Sequence, residues 1–248
     1  MSEQFKTRFV WVAALICAIG LFASSSVVTY GFIKTRTQAN TITVTGSAKK
    51  QIKSDYVTWR GSFSRQSANL SDAYTKLQTD LEKVKAYLSH EGIIESDYTV
   101  SSVNTQVNYA LLPNGYMSSS TVESYRLYQD IELRSADIEK ITKLSRESTK
   151  LIQDDVQFQS MPPMYFYTKI ADLKIDMLAL ATKDARDRAQ KIAENAGSKL
   201  GTLKTAKMGV FQITPINSND VSDYGINDTS SIEKEIMSVV NCTFTTTK

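Results

Sequence analysis

Apolar positions along this chain fall into one unbroken run followed by a series of short periodic segments. From Phe9 to Ile33 no side chain is charged, with Lys6 and Arg8 before the run and Lys34 and Arg36 after it. A helix rises about 1.5 Å per residue, so roughly 20 apolar residues cross the hydrocarbon core of a bilayer. Residues 9–33 are long enough to do so. Phe9, Trp11, Leu15, Leu21, Phe22, Tyr30 and Ile33 carry this membrane-anchor reading, with Trp11 and Tyr30 near the ends, where amphipathic rings prefer the headgroup zone. A cleaved signal peptide is the competing reading, with a cut near Ala23, Ser24 and Ser25. The run continues through Val27, Val28, Tyr30, Gly31, Phe32 and Ile33, which is longer than the core of about 7–15 residues that such a peptide needs. The hydroxyls of Ser24 to Ser26 are expected to bond back to helix carbonyls. The division expected is a cytoplasmic tail (1–8), a transmembrane signal anchor (9–33), a linker (34–40) and one domain (41–248).

Beyond residue 40 the pattern changes. Residues 41–47 alternate Ile42 and Val44 with threonines, as a half-buried strand does, until Gly46 interrupts them. Val57, Trp59, Gly61 and Phe63 mark a second strand. Leu70, Tyr74, Leu77, Leu81, Val84 and Leu88 recur every three or four residues and predict a helix, capped by Asn69 and closed by Gly92. Two extended segments, 99–111 and 122–134, flank Pro113-Asn114-Gly115 and predict a hairpin. Val103, Val107, Tyr109 and Leu111 form one face of its first strand, and Tyr125, Leu127, Ile131 and Leu133 one face of the second. A short helix follows over 137–150, with Ile138, Ile141 and Leu144 inward. Val156 and Phe158 mark another strand. The longest helix runs over 169–196 on a stripe of Ile170, Leu173, Met177, Ala181, Ala185, Ala189, Ile192 and Ala196. A strand at 203–213, a polar loop at 214–231 and a terminal strand complete the chain, with Ile236, Ser238, Val240, Cys242 and Phe244 on one face. The threonines of that last strand suit pairing at a sheet edge. The fold class is α+β: a mainly antiparallel sheet with two long helices packed on one face, preceded by a single N-terminal transmembrane helix.

Composition narrows function more than it defines it. The chain has 248 residues and a formal charge of +3, with no basic stripe, so no nucleic acid is expected as partner. Cys242 has no mate outside the apolar run, so the soluble part forms no intrachain disulfide. Cys17 follows Ile16 rather than a small residue, which argues against lipidation. The single histidine, His90, lacks an evident catalytic partner and reads as a cation at a helix C-terminus. Asp220, Asp223 and Asp228 match no calcium-loop spacing. No catalytic, cofactor or metal residues are assigned, and no cofactor or enzymatic activity is expected. The segment Met161, Pro162, Pro163, Met164, Tyr165, Phe166 and Tyr167 is a candidate interface, because interfaces enrich methionine and aromatics. The other reading is a loop folded over its own core.

Three stretches resemble the SIMPL-domain family of bacterial envelope proteins. They are ITVTGSA at 42–48, YRLYQDIELRSADIEKITKL at 125–144 and LALATKDARDRAQKIAENAGSKLGTL at 178–203. The chain departs from that pattern at Gln153-Asp154-Asp155, where the family often has glycine-alanine, and in the 214–231 loop. The resemblance implies a periplasmic domain that assembles into ring-like homo-oligomers, with links to envelope and oxidative stress and no catalytic motif. Joined to the apolar run, it places the chain in a bacterial inner membrane as a single-pass protein, contacting the bilayer through residues 9–33 and exposing its bulk to the periplasm. A scaffold is the first expectation; a binding module for a small ligand or an envelope protein is the second.

Overall fold

The computed structural model describes residue 16 and residues 18–30, 40–111 and 117–247. The fold is α+β, with two mostly antiparallel sheets where the sequence pattern suggests one. The described residues divide into two compact units: those within 1–48, 178–209 and 239–248 form the first, and those within 49–177 and 210–238 the second. Three elements contribute residues to both: β1 (Thr41–Lys53), α3 (Ile170–Asn195) and β11 (Glu233–Thr247).

The second unit holds the larger core. Its sheet runs β3 (Tyr98–Val100), β5 (Met117–Ser135), β2 (Tyr56–Ser67), β6 (Phe158–Ser160), with β4 (Asn104–Leu111) also on β5 and β7 (Met164–Phe166) also on β2. Alternation sends Val57, Trp59 and Phe63 of β2 and Leu127, Ile131 and Leu133 of β5 to one face. Helix α1 (Leu70–His90) lays Ala73, Leu77, Leu81, Val84 and Leu88 on that face, and α2 (Ile138–Glu147) adds Ile138, Ile141 and Leu144. Each large side chain so buried contributes about 1.5–3 kcal/mol. Asn69 caps α1 by accepting from Ser71 N at 2.8 Å, and Gly92 beyond its end takes a φ of 73°, a conformation suited to glycine. Leu70 and Tyr74, expected inward, are exposed; the small Ala73 occupies the first inward turn instead.

One acid sits in this apolar stripe. Asp80 is 1% exposed. Arg65 of β2 grips it with a two-pronged contact, Nε to Oδ2 at 2.5 Å and Nη2 to Oδ1 at 2.9 Å. The same Nη2 donates to the Asp155 carbonyl oxygen and to Asp155 Oδ2. The Asp80 carboxylate raises the guanidinium's pKa above its ordinary value against the opposing pull of burial. Ser148–Ile152 forms a 3₁₀ turn, and Asp155 shortly after it has a φ of 61°. The arginine thus ties together helix, strand and turn.

In the first unit β11 is flanked by β1 and β8 (Lys199–Met208), so the terminal strand is interior rather than at an edge. Val240, Cys242 and Phe244 pack with Val44 and with Ala181, Ala185 and Ala189 of α3. Burial raises the Cys242 thiol pKa. The inward stripe of α3 keeps a spacing of four from Leu173 to Ala193, so Ala193 is buried and Ile192 is exposed. Gly46 does not interrupt β1. A Cβ there would lie 2.2 Å from the Ala181 oxygen and 2.4 Å from the Ala185 nitrogen, so the glycine lets helix and strand backbones meet. Next to it, Ser47 N donates to Asp184 Oδ2 at 2.8 Å. That bond, together with Arg188, lowers the Asp184 carboxyl below its usual range. A depressed carboxyl stabilises the fold above its unfolded pKa and loses that contribution as pH falls through its folded value. Asp184→Asn is therefore expected to flatten the acid limb of the first unit's stability-pH curve below about pH 4. An unchanged acid limb in urea titrations contradicts this.

The strand expected at 203–213 is two strands, β8 and β9 (Gln212–Pro215), broken at Gly209. In the second unit β9 pairs with the start of β11 and, in parallel, with β10 (Ile226–Asn227) inside the polar loop.

Candidate functional site

Residues 18–30 are helical, and every described side chain there is exposed, including Ile19, Leu21, Phe22, Val27, Val28 and Tyr30. The hydroxyls bond to the helix's own carbonyls: Ser24 to Leu21 O at 3.1 Å, Ser25 to Phe22 O at 3.0 Å, Ser26 to Phe22 O at 2.7 Å and Thr29 to Ser25 O at 2.7 Å. The polar positions are thereby satisfied internally. Among the described residues no helix is long and apolar enough to cross a membrane. The expected span 9–33 reaches past the described helix at both ends, and Phe9, Trp11, Leu15 and Ile33 lie outside the described residues.

The Met-Pro-Pro-Met segment is built into the second unit's sheet. Strand β7 runs antiparallel to β2 with Val57 opposite Tyr165. Alternation turns Tyr165 inward, where it is 7% exposed and its hydroxyl shares a hydrogen bond with Thr142 Oγ1 at 3.0 Å. Pro162 and Met164 are exposed, while Met161, Pro163, Phe166 and Tyr167 are half-buried.

The polar loop is stapled to this strand. Tyr165 N donates to Thr229 O at 2.8 Å. Lys234, 2% exposed, donates through Nζ to Tyr165 O at 2.7 Å and to Asp228 O. Burial lowers the Lys234 ammonium's pKa, opposed by the charge of Asp228. The Asp228 carboxylate accepts from Ser230 N at 2.9 Å, Ser230 Oγ at 2.7 Å and Ser231 N at 3.3 Å. Burial alone would raise its pKa, but these donors and Lys234 hold it below the usual range. Asp228 therefore shapes its own loop, as aspartates at turns do. Sequence pattern missed Lys234, a charge at an inward position of an alternating strand. Its one visible signal is that parity.

Two further stretches leave apolar side chains outside. In the hairpin, Val107, Tyr109 and Leu111 of β4, expected to share one face, are exposed, as is Val122 of β5. Among the described residues nothing buries these four side chains. Strand β8 is exposed along nearly its whole length, including Leu203 and Met208. Its outer edge has no strand partner among the described residues. Lys199, Lys204 and Lys207 punctuate it, as lysines do on edges that avoid pairing with their own kind.

His90 lies at the end of α1, 85% exposed, with Nδ1 3.5 Å from Glu91 Oε1. Asp220 accepts from Ser218 within the loop. No group of three or more potential metal ligands occurs among the described residues.

The class defined so far is an α+β domain in which buried ionisable groups tie segments of the fold together. The SIMPL family model, described as a protein of unknown function (DUF541), matches residues 42–244, and the chain belongs to that family. No curated protein matches the chain.

Proposed function

We propose that this chain is a membrane-tethered scaffold of the bacterial cell envelope. Residues 9–33 anchor it in the inner membrane, the SIMPL domain lies on the periplasmic side, and copies assemble into a ring-like homo-oligomer without performing chemistry. The observation that carries the tether is the helix over residues 18–30, whose apolar side chains bury nothing against protein. An apolar surface of that kind is stable in lipid or in a partner. Support for assembly comes from the uncovered hairpin, where Val107, Tyr109, Leu111 and Val122 sit with Glu123 as the only charged residue between Asn104 and Ser124. Burial of such a ribbon between copies resembles completion of a sheet core. Many anchors in one assembly hold it to the bilayer by avidity. The support for a non-catalytic role is that Asp80, Arg65 and Lys234, the deeply placed ionisable groups, each hold fold segments together.

Light scattering on the detergent-extracted full chain tests assembly. Wild type is expected to show the mass of several copies, and Val107→Asp with Leu111→Asp to show that of one. A single-copy wild type at micromolar concentration contradicts the proposal.

A further inference from the structure

The second unit's sheet has a second face that α1 and α2 do not cover, and it carries a built polar groove. Cross-strand register brings Gln66, Arg126 and Gln106 side by side on β2, β5 and β4. One step along, Ser64 stands opposite Tyr128, and beyond it Ser62 stands opposite Gln159 of β6. Residues directly opposite each other share a face, so these side chains project together. All of these but Gln66 line a groove of about 460 Å³, joined there by Gln157 and by the apolar Phe63, Ile152 and Phe158. That volume lies within the range of about 300–1,000 Å³ typical of small-ligand sites.

Arg126 is the groove's one cation. Its guanidinium donates to Ser64 Oγ at 3.2 Å and makes no ion pair among the described residues. The other arginines on this face behave differently. Arg60 and Arg134 both close on Glu132, at 3.3 and 2.8 Å. On the opposite face Arg65 is committed to Asp80. Arg126 thus keeps an open fork of donors in a groove lined by amides and hydroxyls together with Phe63, Ile152 and Phe158.

A planar guanidinium fork matches a carboxylate two-pronged. A single positive charge, with no second cation and no helix N-terminus beside it, suits an anion of charge −1 better than a phosphate. Glutamine amides both donate and accept, and serine hydroxyls do the same, so the body of the ligand should carry several hydroxyl or amide groups. The exposed Tyr128 ring and Ile152 offer apolar contact to the rest of the ligand. We propose that this groove binds a small monocarboxylate with a hydrogen-bonding body, such as a sugar acid or the C-terminus of a short peptide. Arg126 takes the carboxylate; Gln106, Gln157 and Gln159 take the body. Gln106 and Arg126 lie on the opposite face of the β4–β5 pairing from Val107.

Calorimetric titration of the detergent-solubilised full chain tests it. The probes are glucuronate and N-acetyl-dialanine, each beside its uncharged counterpart, glucose and N-acetyl-dialanine amide, with inorganic phosphate as a further arm. At least one acid is expected to bind saturably in the range of about 1 mM or tighter, at least tenfold better than its neutral counterpart and than phosphate. Whichever acid binds identifies the source. Arg126→Gln is expected to remove that preference, while Arg126→Lys, which keeps the charge and loses the fork, retains part of it. Arg126 is exposed, so both variants should melt with the wild type. Equal binding of acid and neutral probes, stronger binding of phosphate, no saturable binding of either acid, or an undiminished preference in Arg126→Gln overturns the assignment.

Discussion

Asp80→Ala should be the most damaging single change in the second unit, lowering its stability by about 3–5 kcal/mol. The carboxylate is 1% exposed and receives both prongs of Arg65. Deleting it strands a guanidinium whose remaining partners belong to Asp155, a residue with its side chain 87% in solvent. The penalty is the uncompensated buried charge more than the lost attraction. The pair's replacement as a whole should be milder: Arg65→Met with Asp80→Leu fills the same space with apolar atoms and is expected to recover much of the loss. Urea unfolding followed by tryptophan fluorescence reads this directly, since Trp59 is buried in the same core. A loss below about 1 kcal/mol for Asp80→Ala, the level of an exposed ion pair, contradicts the account.

Gly46→Val should have a comparable effect on the first unit. The added Cβ meets backbone atoms, Ala181 O at 2.2 Å and Ala185 N at 2.4 Å, and the Ala185 Cβ at 2.6 Å. Overpacking against side chains that can rotate costs about 1–3 kcal/mol; backbone cannot rotate away, so about 3 kcal/mol or more is expected. Hydrogen exchange of amides in residues 41–48 and 181–189 is the readout, because the displaced contact lies between them. The two mechanisms for the loss separate cleanly. If the Ala185 methyl were the obstacle, Ala185→Gly would rescue Gly46→Ala. With the backbone as the obstacle, the double variant stays destabilised.

Much of this fold is legible in the pattern of apolar residues. Helix α1, helix α2 and the inward face of β11 follow from periodicity, because burial on one face is what creates the periodicity. Ile236, Ser238, Val240, Cys242 and Phe244 are all buried, as their alternation predicts. Periodicity says which residues share a face but not whether anything covers it. Val107, Tyr109 and Leu111 alternate as an inward face does and yet stand on an uncovered ribbon. Gly46 reads locally as a strand breaker, whereas its reason is a helix more than a hundred residues away in sequence. Tertiary register likewise hides the partnership of Arg65 with Asp80 and Asp155, 15 and 90 residues away in sequence. Tyr165 shows the converse limit. Composition marks its segment as an interface, but pairing with Val57 puts the tyrosine inside the fold and leaves Met164 as the exposed apolar residue there.

The same distinction governs the functional reading. The proposed anchor and the proposed groove lie at opposite extremes of legibility: the uncharged run is visible in any hydropathy scan, while Arg126 becomes notable only when every neighbouring arginine is seen to hold a carboxylate. Arg126→Gln and the hairpin substitutions act on different surfaces, so loss of ligand preference and loss of assembly should occur independently.

Extraction of native membranes with alkaline carbonate tests the tether most directly. A chain held by a helix through the hydrocarbon core stays in the membrane pellet, is released by detergent, and retains residues N-terminal to Ser24. Release of the protein into the carbonate supernatant, with a mature N-terminus near residue 25, contradicts the tether and the scaffold built on it.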